Sequence, residues 1–145
     1  MTPARTVRWA SFAELDTTTL YRLLQLRVDV FVVEQQCAYP DLDGRDLEAG
    51  TVHGWIEDAA SPIAYLRLLY EPDATRIGRV TTAPAHRRAG LAALLVEAAL
   101  ARSVGPVVLN AQSHLRAWYE RYGFVVTGPE YLDDGIVHVP MRLDR

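Results

Sequence analysis

The chain predicts a mixed α/β fold around one sheet, and three observations carry that prediction. Residues 51–57, 63–70 and 76–82 are short β-rich segments separated by Asp-Ala-Ala-Ser-Pro and Glu-Pro-Asp turns, the pattern of an antiparallel meander. After the meander the pattern changes to strand and helix in alternation. At 145 residues, half of them apolar, the chain can bury a real core. No repeat, low-complexity tract or linker divides it, so a single domain over residues 1–145 is expected.

In order, residues 6–12 read as a first strand. Asp16 then offers an N-cap to a helix over residues 17–31, with Leu20, Leu23, Leu24 and Val28 at helical spacing. Residues 39–50, with Pro40, Gly44, Asp41, Asp43, Asp46 and Glu48, read as a loop. The three meander strands follow, then a helix over 90–103, a strand at 107–111 and a helix over 114–122. Strands at 124–126 and 137–143 close the chain, the last as an exposed edge that could support a homodimer.

A net charge of −3 without a dense basic run argues against nucleic acid or an anionic membrane as the main partner. No N-terminal stretch has the charged, apolar, small-residue order of a signal peptide. The longest apolar helix carries Glu97 and is too short to span a bilayer, so a cytoplasmic location is expected. The lone Cys37 cannot form an internal disulfide, which fits a reducing compartment. The His and Asp residues show no metal-ligand spacing, so no metal is expected.

The stretch Arg79-Val-Thr-Thr-Ala-Pro-Ala-His-Arg-Arg-Ala-Gly-Leu-Ala-Ala-Leu-Leu-Val-Glu97 runs from strand through a short turn into a helix beginning near Arg88 or Ala89. The first amides of a helix have no intrahelical partner, and the peptide dipoles place partial positive charge there, so an anion fits that end. Ala89, Gly90 and Ala92 keep side chains small where a ligand approaches the backbone, and Arg87 and Arg88 add guanidinium donors. The plainer alternative is a solvated arginine pair on a helix that starts with glycine. No Gly-x-x-x-x-Gly-Lys-Ser/Thr and no Gly-x-Gly-x-x-Gly occurs, so neither an NTPase loop nor a dinucleotide fingerprint is supported.

Arg87-Arg-Ala-Gly-Leu-Ala92 resembles the acetyl-CoA pyrophosphate signature of GNAT N-acetyltransferases, Gln/Arg-x-x-Gly-x-Gly/Ala. Downstream, Val107-Val-Leu-Asn-Ala111 and Leu115-Arg-Ala-Trp-Tyr-Glu-Arg-Tyr-Gly-Phe124 are similar to that superfamily's Asn, Tyr and Gly-Phe segment. Upstream, Leu26-Arg-Val-Asp-Val-Phe-Val-Val-Glu-Gln-Gln-Cys-Ala-Tyr-Pro-Asp-Leu-Asp43 resembles the ElaA-type branch.

The resemblance implies a GNAT-like fold, a central, mostly antiparallel mixed sheet flanked by helices, with acetyl-CoA as co-substrate. It implies direct transfer of the acetyl group to a primary amine of a small molecule or peptide. Backbone at Val80 and Thr82 would pair with the pantetheine arm. Arg87, Arg88, Ala89, Gly90, Leu91 and Ala92 would hold the pyrophosphate, with Asn110 beside them. Tyr119 matches the tyrosine that faces the departing sulfur; as an aromatic at helical spacing with Trp118 and Tyr122 it is alternatively core. A phenol of pKa about 10 can serve a thiol of pKa about 8.5, and an ammonium of pKa about 10.4 needs a base at neutral pH.

Relatives that place a glutamate on the strand before the pyrophosphate loop differ from this chain, which has Arg76, Gly78 and Arg79 there. Glu34 and His53 are the candidate bases; each has a plainer reading, Glu34 as an exposed helix-end residue and His53 as a satisfied sheet residue. Arg67 and Arg79 either face the cleft and bind an anionic group of the acceptor, or pair with Asp41, Asp43 and Asp46. Cys37 reads as a small buried hydrophobe rather than an acyl carrier. The alternative to catalysis is a non-catalytic acetyl-CoA-binding sensor or interaction domain.

Overall fold

A computed structural model describes residues 5–145. Strand β1 (Val7–Ser11) leads through a 3-10 turn to helix α1 (Thr17–Val28), which starts where Asp16 accepts a hydrogen bond from the Thr19 amide at 2.7 Å. Strands β2 (Val52–Asp58), β3 (Ser61–Tyr70) and β4 (Thr75–Thr82) form the meander, each antiparallel to the one before. Helix α2 (Leu91–Arg102) leads to β5 (Val107–Gln112), then come helix α3 (Arg116–Glu120) and strands β6 (Val125–Val126), β7 (Tyr131–Asp133) and β8 (Ile136–Leu143). They make one eight-stranded mixed sheet in the order β1-β2-β3-β4-β5-β8-β6, with β7 also paired to β8.

Three local expectations need correction. The first helix does not run regularly to residue 31, because after Val28 the chain widens into a π-helical turn, Asp29–Glu34, in which the Gln35 amide reaches back five residues to the Val30 carbonyl. The last strand is not an edge: β8 lies between β5 on one side and β6 and β7 on the other. Third, β7 is an unexpected strand, joined to β8 by Asp134-Gly135 with both φ positive, a two-residue hairpin turn.

Each sheet face has its own core. On one side Ile56, Leu66, Leu68 and Ile77 meet Leu95 and Val96 of α2, and Tyr119, Phe124 and Met141 continue that layer. On the other, Leu23, Leu26 and Val30 pack on Trp55 and Tyr65. Covered on both faces, β3 is buried from Ile63 through Leu69, and so its sequence reads as an apolar run rather than an alternation. Where β1 crosses β2, the Trp9 ring occupies the space over Gly54; a Cβ there would meet ring atoms at 2.8 and 2.9 Å.

The feature that shapes the site is a splay. Strands β4 and β5 pair in parallel only at Thr75–Val107 and Arg76–Val108. Beyond that they diverge, leaving the β5-facing edge of β4 from Ile77 to Thr82 unpaired. A β-bulge opposite Leu66 sharpens the bend, with Arg79 at φ +56°, a conformation that costs a non-glycine residue about 1–3 kcal/mol and recurs at functional sites.

Candidate active site

The splay opens a cavity of about 1290 Å³, above the usual few hundred to a thousand for a single small ligand and large enough for two substrates. Its walls carry Glu34, Arg67, Arg79, Val80, Thr82, Arg87, Arg88, Gly90, Leu91, Ala92, Asn110 and Tyr119. Ala89 sits exposed in the loop between Arg88 and Gly90. His53 does not reach the wall.

At the α2 end, Arg88 (φ +65°) and Gly90 (φ +75°) turn the chain so that the helix starts at Leu91, one to three residues later than the sequence predicts. No side chain caps it, and the first intrahelical bond shown, from Leu94 to the Gly90 carbonyl, leaves earlier amides free. A Cβ on Gly90 would meet nothing within 4 Å. Leu91 is buried and anchors the turn. Bare amides, open space and the exposed Arg88, which has no ion-pair partner among the described residues, suit a phosphate, and the unpaired β4 edge suits an amide-bearing arm. The residues therefore fit an acyl-CoA.

Arg87 faces elsewhere. Its Nη1 and Nη2 each donate at 2.6 Å to a different oxygen of Glu34, and its Nε donates to the Thr82 carbonyl at 3.1 Å. The hydrogen bonds from Arg87 hold the Glu34 carboxyl below its ordinary range. Both Glu34 oxygens are occupied and its basicity is reduced, so the geometry makes it a tie between the π turn and β4.

Two further contacts pin that turn. Gln112 of β5 donates to Gln35 at 3.4 Å, and the Cys37 thiol donates to the Asp134 carbonyl at 3.1 Å. The segment from Val30 to Cys37 thus roofs the cleft from β4 across to the β7–β8 hairpin.

Arg67 and Arg79 pair with the loop acids. Arg67 donates to both Asp43 oxygens at 2.9 Å and to Asp46 at 3.1 Å; Arg79 reaches Asp43 at 3.3 Å and the Asp41 carbonyl at 3.1 Å. Behind them the fully buried Arg27 donates to Asp41 at 3.1 Å and to Asp46 at 2.7 Å. Burial pushes the Asp43 carboxyl up, but hydrogen bonds from Arg67 and the Arg45 amide outweigh it and hold its pKa at about 2. Three guanidinium groups face three carboxylates, which leaves no surplus positive charge for a substrate anion.

His53 is 2% exposed; its Nδ1 lies 2.6 Å from the Tyr65 hydroxyl and its Nε2 3.4 Å from the Asp46 carbonyl. Burial lowers its pKa. It is a satisfied sheet histidine under α1, as its plainer reading held. Tyr119 is 6% exposed, packed edge-on against Trp118 and Phe124, and its hydroxyl has no protein partner among the described residues. Burial raises its pKa to about 12.

The acetyltransferase (GNAT) domain model matches residues 27–145. The chain belongs to the GNAT family. ElaA of Escherichia coli is 40% identical over 139 residues, covering 89% of this chain and 90% of ElaA. The ElaA crystal structure superposes with a TM-score of 0.87 over 96% of this chain and 99% of that one. An acyl-CoA N-acyltransferase from Pseudomonas aeruginosa superposes with a TM-score of 0.89 at 42% identity, over 96% and 99% of the two chains. In this GNAT protein, sequence reasoning missed the roof contacts, the β7–β8 hairpin and His138 on the cavity wall. Only the hairpin had a local signal, the Asp-Gly pair ahead of the alternating run Ile136-Val-His-Val-Pro-Met141.

Proposed function

We propose that this protein is an acetyl-CoA-dependent N-acetyltransferase that moves the acetyl group directly to a primary amine of a small molecule or peptide. The observation that carries the reading is the run of unpaired β4 edge into the uncapped start of α2 along one cavity, with Tyr119 on the same wall. That arrangement supplies amide groups for a pantetheine arm at Val80 and Thr82, and an anion cradle from Arg88 to Ala92. Asn110 lies exposed on the opposite strand. Arg87 serves by holding the cradle to the roof. Arg67 and Arg79 serve as a neutralised wall. The cytoplasm, where acetyl-CoA meets free amines, is the compartment this reading requires.

With a pKa of about 12, Tyr119 stays protonated at neutral pH. Full proton transfer from it to a CoA thiolate of pKa about 8.5 would run uphill by about 3.5 units, roughly 5 kcal/mol. We therefore read Tyr119 as a hydrogen-bond donor that stabilises the leaving sulfur, while the proton that finally rests on CoA comes from the attacking amine.

The test is acetyl-CoA-dependent thiol release against separate pools of polyamines, amino acids, amino sugars and peptides. One pool is expected to support release, and Tyr119→Phe to lower turnover about 10- to 100-fold, the worth of a hydrogen bond to a charged group, with acetyl-CoA affinity little changed. Undiminished turnover in that variant removes Tyr119 from the reaction. Binding of acetyl-CoA without release from any pool returns the sensor reading.

A further inference from the structure

We propose that His138 is the catalytic base that takes the proton from the acceptor amine, an inference that rests on the acyl-transfer reading above. Its neighbours on β8, Val139 and Met141, are 2% and 1% exposed in the core beneath α2 and α3. By the alternation of a strand, His138 points to the opposite face, the side on which α1 and the π turn lie. It lines the large cavity there and is half-buried.

Its ring is held in one tautomer. Nδ1 lies 2.8 Å from the Ile136 carbonyl, which can only accept, so Nδ1 carries the hydrogen. In the neutral ring this leaves the lone pair on Nε2, which has no partner among the described residues. Tyr131 stacks on the ring at 5.9 Å and 26°, fixing its plane. A positioned imidazole with a free nitrogen in a cleft has the attributes of a general base.

Of the other imidazoles on the cavity wall, His86 pairs with Asp58 at 3.5 Å and His114 lies exposed in the turn before α3. Glu34 is tied to Arg87, Asp43 to Arg67, and the Cys37 thiol to Asp134. Asp133 and Asp134 are exposed and free of ion pairs among the described residues, and a carboxylate is intrinsically a weaker base than an imidazole. Around His138 stand Tyr131 and Asp133 on β7, Asp134 in the turn, Gln112 opposite on β5, and Arg76 on β4, which acts on Tyr131. Arg76 is itself paired with Glu71 at 3.1 Å.

Nε2 of His138 removes one proton from the alkylammonium, freeing the nitrogen lone pair. The nitrogen then bonds to the acyl carbon and the carbon–sulfur bond breaks. The second nitrogen proton passes to the departing thiolate, giving amide and CoA thiol, and His138 returns its proton to solvent.

The experiment compares His138→Asn with wild type, because the asparagine amide can keep the bond to Ile136 while offering no base at the Nε2 position. Two acceptors are used: the primary alkylamine found active by thiol release, and hydroxylamine, which is largely neutral at pH 7 and needs no base to free its lone pair. We expect kcat/KM for the alkylamine to fall at least 100-fold at pH 7. The rise of activity with pH should move alkaline, toward the titration of the amine itself. Turnover of hydroxylamine and acetyl-CoA affinity should change less than about threefold. Equal losses with both acceptors would assign His138 to structure and overturn the proposal, as would an unaltered alkylamine profile. Absence of release by wild type with every amine and with hydroxylamine overturns the acyl-transfer reading itself and this inference with it.

Discussion

The two ends of the cavity are built by different means. At the α2 end, a stretch of thirteen residues from Val80 to Ala92 presents backbone: an unpaired strand edge, two positive-φ turns and a helix start without a side-chain cap. At the π-turn end the wall is made of charged and polar side chains from far apart in the chain. Arg87 meets Glu34 across 53 positions, and Cys37 meets Asp134 across 97. A backbone surface tolerates side-chain change and suits a ligand that is always the same. Behind that surface lie the buried ion pairs of Arg27 and Arg67 with Asp41 and Asp46, which are costly to alter without loss of stability, because removing partners leaves a charge desolvated.

The strongest way to test that contrast is Asp46→Ala. This carboxylate is 7% exposed and accepts from both Arg27 and Arg67, so its loss removes one charged hydrogen bond from each and leaves them Asp41 and Asp43 as their carboxylate partners. We expect a loss of about 3–5 kcal/mol in unfolding free energy by denaturant titration, with acetyl-CoA affinity of the folded fraction retained. A loss below 1 kcal/mol would mean that the ion-pair cluster of Arg27 and Arg67 is not part of what holds the fold.

A smaller effect is expected at the other end. Gly90→Ala forces an alanine to φ +75° and costs about 1–2 kcal/mol of strain. Because the new methyl projects into open space, calorimetry should show weaker acetyl-CoA binding in addition to the lower stability. Stability lost with binding retained would place the ligand away from this turn.

The smallest effect is in acid. Asp43 has its pKa depressed to about 2. A depressed carboxylate contributes stability above its unfolded value, near 3.9, and that contribution is lost as pH falls from about 4 to about 2. Asp43→Asn should flatten this part of the stability-versus-pH curve and leave the curve above pH 5 parallel to wild type. A variant with the same acid limb would assign that limb to other carboxylates.

Much of the fold was legible because its signals are local. Asp16 caps α1 where its type predicts, and the Asp-Ala-Ala-Ser-Pro and Glu-Pro-Asp turns separate strands that pair as expected. The π turn was not legible, since Val28, Val30, Phe31 and Val33 continue an apolar helical pattern and nothing in the spacing marks the added residue. Nor could the edge status of the last strand be read, because β6 and β7 that cover it are two and three residues long. Among site residues, Tyr119 and the α2 start stand on the cavity wall as their segments implied. Glu34 and His53 were chosen as bases by residue type, and their partners, Arg87 and Tyr65, engage them in the structure.

By itself the sequence determined the order of the strands and helices apart from β7 and the π turn, the turns of the meander, and a helix start of small residues preceded by arginines, because hydrophobic period, capping and turn chemistry act over a few neighbouring residues. Tertiary structure alone decided which charges cancel, which ring nitrogen stays free and which carboxylate is tied. Those outcomes depend on burial and on partners brought together across the sheet, and side chains up to 97 positions apart acquire their chemistry only when the fold sets them a few ångströms from one another.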